Sequence, residues 1–125
     1  MIASAKAAWL ELEIVMAFEE NQDRLNERMH VCIGILAAMD CGAQVFAAAQ
    51  AADSPAEARA ALQRLHLTLK DDARAIIGIR SDVYQLDETQ ARLVLDLRLC
   101  RYIRSERASV VAEITDLVSR LRIGQ

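Results

Sequence analysis

The stretch MHVCIGILAAMDCGAQVFAAAQAA, residues 29–52, decides how this chain can fold. It carries one formal charge, Asp40, and no proline, and its glycines Gly34 and Gly42 stand either side of Ala38. Wound as an α-helix it is apolar nearly all round. Such a helix is stable in water only if other helices cover most of its surface, so the rest of the chain has to supply that cover.

The composition fits this demand. The 125 residues are 54% hydrophobic but only 4% aromatic, an alanine-rich aliphatic mixture that favours packed helices over a β-sandwich. A single proline and four glycines leave little material for turns, which argues for few, long elements in one domain spanning residues 1–125. The net charge of −3 and pI near 5.4 provide no overall field that would draw the protein to nucleic acid or an anionic membrane.

Cys32, Cys41 and Cys100 are odd in number and show no CxxC or Cys/His zinc spacing. They read as small core residues of a reduced, cytoplasmic protein. The longest uncharged apolar run, residues 31–39, is too short to span a bilayer, and lengthening it to Ala52 would place Asp40 in mid-membrane.

Upstream of the central stretch, Ala7, Leu10, Ile14 and Phe18 recur at helical spacing from Ser4 onward. Trp9 and Leu12 lie off that stripe and give the helix a second apolar face. The polar run EENQDRLNE, residues 19–27, contains turn formers and predicts a break, although Leu25, Met29, Cys32, Leu36, Met39, Ala43 and Phe46 continue the register without a phase change. The alternative is one helix over about residues 4–52.

Downstream, Asp53-Ser54-Pro55-Ala56-Glu57 is a helix start, with Ser54 as N-cap, proline at the first helical position and Glu57 to close a capping box. The stripe Leu62, Leu65, Leu69, Ala73, Ile76 and Val83 predicts a helix to Tyr84, with Gly78 inside it as a point of close packing. Asp87 caps the last helix, with Gln90 three residues on, and Leu95, Leu99, Ile103, Val110, Ile114, Leu117 and Leu121 are its stripe. The expectation is an all-α protein, an antiparallel up-down four-helix bundle with helices near 4–20, 24–52, 55–84 and 88–122. The alternative is three long helices.

Several residues break the pattern. Gly34, Ala38 and Gly42 form a small-residue ridge that lets another backbone approach, within the bundle or in a second copy. Asp40 needs a cation, and arginines on other helices are candidates. Glu27 and His30 have the i, i+3 spacing of carboxylate-bridged metal sites in helical bundles, but the second such motif is missing and no metal or cofactor is expected.

Arg98, Arg101, Arg104 and Arg107 suggest an anion- or nucleic-acid-binding stripe. Steps of three advance about 300°, however, so the four wind around half a helix. Acidic helix faces are better partners: residues 1–52 hold seven acidic and three basic side chains, against eleven and twelve in the remainder.

The run from His66 through Leu67, Thr68, Leu69 and Lys70 to Gly78 faintly resembles the phosphorylated helix of histidine phosphotransfer domains, which are also four-helix bundles. The resemblance would make His66 a phosphoacceptor. It has one residue too many between His66 and Lys70, and Asp71 and Asp72 stand where small residues are expected.

No nucleophile–base constellation or glycine-rich phosphate loop is present. The leading expectation is a non-enzymatic bundle acting through protein–protein contact, as an adaptor, regulator or assembly subunit. Itself and another protein would be the partners, and Trp9, Leu12 and the Gly34–Ala38–Gly42 ridge would be the contacts.

Overall fold

A computed structural model describes the backbone of residues 2–123 and the side chains of residues 16–17 and 19–122. Among the described residues the chain forms six α-helices and one 3-10 turn, with no strand. They are α1 (Ile2–Asp40), α2 (Gly42–Ala51), α3 (Pro55–Arg64), α4 (Asp71–Ile77), α5 (Glu88–Leu95), the 3-10 turn (Leu99–Tyr102) and α6 (Arg104–Ile123). The all-helical class stands, but the division into four helices does not.

The polar run at 19–27 does not turn the chain. Its side chains are mostly exposed and its residues other than Asn and Asp are good helix formers, so α1 continues through it for 39 residues, about 58 Å. The break comes instead at Cys41, where the backbone (φ −123°, ψ 37°) bends the chain by 89° into α2. Poor helix formers on both sides allow it, and two polar contacts hold it. The Cys41 Sγ accepts from the Thr68 backbone N–H (3.2 Å) and lies 3.3 Å from the Thr68 carbonyl, and the Lys70 N–H donates to Asp40 (3.1 Å).

The helix expected over 55–84 is three pieces. The Ser54 cap forms, its hydroxyl accepting from the Glu57 N–H at 3.1 Å, but the Glu57 carboxylate accepts from the Asp53 N–H (3.0 Å) rather than closing a box on Ser54, and α3 stops at Arg64. Residues 65–70 then alternate. Leu67 and Leu69 are buried, His66, Thr68 and Lys70 are exposed, and Leu67 pairs with Tyr84 in an isolated antiparallel bridge. This period of two marks extended chain. Gly78 ends α4 at φ 84°, and a Cβ there would meet nothing within 4 Å. Left-handed backbone, not close packing, is therefore the reason for glycine at this position.

The last expected helix is also interrupted. Asp87 makes the capping box with Gln90, but α5 ends at Leu95 and the 3-10 turn precedes α6. This interruption turns Leu99 and Ile103 out of the apolar stripe, to 72% and 56% exposure. The Cys41 bend does the same to Phe46, at 40%.

Residues 34–38 of α1 are all buried, so that part of the helix is covered on every side, by α5 and α6 in particular. The core around it includes Cys32, Leu36, Leu62, Leu67, Leu86, Val94 and Ile114. Burial pushes the Cys32 thiol up to about 11. The second half of the central stretch differs: in α2 only Val45 is buried. No single helix among the described residues is long and apolar enough to cross a membrane, and the one pair that passes jointly is bent at Cys41.

Candidate functional site

Asp40 is the buried charge the sequence singled out, its side chain 1% exposed, and Arg107 is its partner. The guanidinium sits between two carboxylates. Its Nε donates to Asp40 Oδ1 at 2.7 Å and Nη2 to Oδ2 at 3.3 Å, while Nη1 and Nη2 donate to Asp72 at 3.1 and 3.0 Å. These bonds raise the Arg107 pKa further above its ordinary value, and Arg107 in turn holds the Asp72 carboxyl below the usual range. The Lys70 N–H completes the Asp40 shell. One guanidinium thus fastens the end of α1, the start of α4 and the start of α6. This is a structural junction in which four of the five guanidinium N–H donors are already used.

A second polar group lies where α1 meets α5. Gln90 is buried (1% exposed) and fully bonded: its amide donates to the His30 carbonyl (2.8 Å) and the Tyr84 hydroxyl (2.7 Å), and its oxygen accepts from the Asp87 N–H (3.1 Å). The His30 ring pairs with Asp87, so the Glu27/His30 spacing leads to a helix clamp. Asp87 is held below the usual carboxylate range, first by the Gln90 N–H and also by His30. Among the described residues no group of three or more His, Cys, Asp or Glu side chains is placed to hold a metal ion.

The small-residue ridge is taken up within the chain. A Cβ on Gly34 would lie 2.8 Å from Gln90 Cγ and 3.0 Å from its Cβ, so glycine is what allows α5 to approach. Ala38 is fully buried. A Cβ on Gly42 would meet the Tyr102 ring at 3.5 Å, an ordinary contact. Trp9 and Leu12, the other expected contacts, lie outside the described side chains. The nearest described neighbours, Met16 and Ala17, are exposed, Met16 at 54%.

The arginines separate. Arg107 is the junction, Arg101 bonds Glu106 at 2.7 Å, and Arg98 and Arg104 are exposed. Interleaved with the last two are Leu99 and Ile103, and beside them Tyr102 packs on Phe46 with ring centroids 4.9 Å apart. His66 stands exposed on the extended segment after α3, so the helix that a phosphotransfer histidine requires is absent at that position.

The sequence alone pointed to Asp40 and Arg107. It read Gln90 only as a cap partner, and it missed Asp72 and the apolar surface at Phe46, Leu99 and Ile103, which depend on helix breaks. The alternation at 65–70 and the glycine at 78 were signals for two of those breaks. No known family profile matches this chain, and no curated protein aligns with it.

Proposed function

We propose that this protein acts through protein–protein contact and self-associates, with no catalytic step of its own, as an adaptor, regulator or assembly subunit in the cytoplasm. The observation that carries this reading is the reach of α1. Among the described side chains its packing against the core begins at Leu25, and the helix extends upstream to Ile2 through a sequence that contains Trp9, Leu10, Leu12, Ile14, Val15, Met16 and Phe18. Met16 is 54% exposed. A helix this apolar draws its stability from what covers it, and a second copy supplies that cover. On this reading the antiparallel bundle is completed between two chains. Light scattering behind a size-exclusion column, over a concentration series, tests it. A dimer or larger species is expected, and a monomer at every concentration overturns it.

A further inference from the structure

We propose that the α1 face carrying Trp9, Leu12 and Met16 docks on the surface formed by Phe46, Tyr102, Leu99 and Ile103 of a second copy, reciprocally, in a twofold dimer. The inference rests on the self-association reading and names its two surfaces.

The receiving surface draws on α2 and on residues 99–103. Phe46 of α2 packs on Tyr102, and a 3-10 turn repeats every three residues, which sets Leu99 in line with Tyr102. Leu99, Ile103 and Phe46 are large apolar side chains left 72%, 56% and 40% exposed. The rim is basic, since Arg98 and Arg104 are exposed and make no ion pair among the described residues.

The sequence of α1 offers the complement. By helical period Trp9, Leu12, Met16 and Glu20 fall within about 60° of one line, with Glu13 and Glu19 at its edges. Met16, Glu19 and Glu20 are exposed. An apolar line with acidic flanks thus meets an apolar surface with a basic rim. Pairing either surface with its own copy would set arginine against arginine or glutamate against glutamate, which disfavours both alternatives.

Dimensions agree. The receiving surface adjoins the C-terminal end of α1 through the contact of Gly42 with Tyr102. With the two α1 axes antiparallel and centred near Arg28, residue 14 of one copy is level with residue 42 of the other. Twofold symmetry then makes the contact twice. Doubling matters because a stable interface needs about 800 Å² per partner, more than four side chains supply.

The test is a charge swap across the two surfaces. R98E/R104E and E13R/E20R are each expected to weaken the dimer at least ~10-fold by light scattering, with melting temperatures close to wild type. An equimolar mixture should recover wild-type affinity, because each variant then meets its complement. As a second readout, in an A17C variant a short bis-maleimide should join the introduced thiol to Cys100 of the other copy, identified by peptide mapping. A wild-type dimer whose charge variants dimerise normally, or whose mixture fails to recover, overturns the docking assignment and leaves self-association standing. So does a cross-link that joins only the two introduced thiols to each other. A wild-type monomer removes both readings.

Discussion

Two described parts of α1, one continuous helix, differ in what surrounds them. Between Cys32 and Ala38 nearly every side chain is buried against this chain's own α5 and α6, whereas at 16–24 the described side chains are almost all exposed. The polar run from Glu19 explains that exposure, while the apolar residues upstream of it state a need for cover whose source the sequence does not name. At the C-terminal end the source is visible and has polar keys, Arg107 and Gln90. Toward the N-terminal end the source we propose is a second copy.

Breaking the keys should affect only the covered end. Arg107→Met strands Asp40, a carboxylate whose side chain is 1% exposed, and is expected to cost about 3–5 kcal/mol in urea unfolding. The same junction sets part of the acid response. The Asp72, Asp87 and Glu113 carboxyls are depressed on folding, Asp72 by Arg107 and Glu113 by Arg28. Their stabilisation is complete above the unfolded value of about 4 and is lost as pH falls through the lower folded values. Thermal melts should therefore hold level from neutral pH to about 5 and drop below about 4, and the drop should be shallower in Arg107→Met.

Gly34→Val forces β-branched bulk onto Gln90 and is expected to cost about 2–3 kcal/mol, while Gly42→Ala, facing an ordinary contact, should be near neutral. Equal effects at the two glycines would mean that α5 does not hold α1 so closely. Gln90→Leu leaves the Tyr84 hydroxyl, the His30 carbonyl and the Asp87 N–H without their partner and should cost about 2 kcal/mol.

At the other end the effect on folding should nearly vanish. Met16→Glu is expected to change unfolding free energy by less than about 0.5 kcal/mol while weakening self-association. A loss above about 1 kcal/mol, measured on dilute monomer, would show that this chain covers its own N-terminal end and would erase the contrast.

The sequence carried the helical class because helix starts are local chemistry. Ser54-Pro55 and Asp87 with Gln90 act within one turn, and both caps form where the residues place them. Breaks inside apolar stripes were harder to read, since the stripe continues in register whether or not the backbone does. Leu69 suits a helix stripe and an extended segment equally, whereas Leu67 would lie about 200° from it on a helix and fits only the alternation. Nothing comparable announces the break between α5 and α6. The bend at Cys41 depends on Thr68 and Lys70, which lie far along the chain. The Asp40–Arg107 pair was legible as a need for a cation. Its third member, Asp72, became visible only once the 55–84 helix was known to be broken.

The contact of Gly34 with Gln90 reaches beyond stability. It works as a keyway on a shaft, since a helix seated on α5 at one notch cannot rotate about its axis. Met16 lies eighteen residues upstream, five whole turns and about 27 Å along the axis. It therefore points to the same side of α1 as Gly34. The azimuth of a distant binding face is thus indexed by one missing side chain, and widening that notch would re-aim the face without touching it.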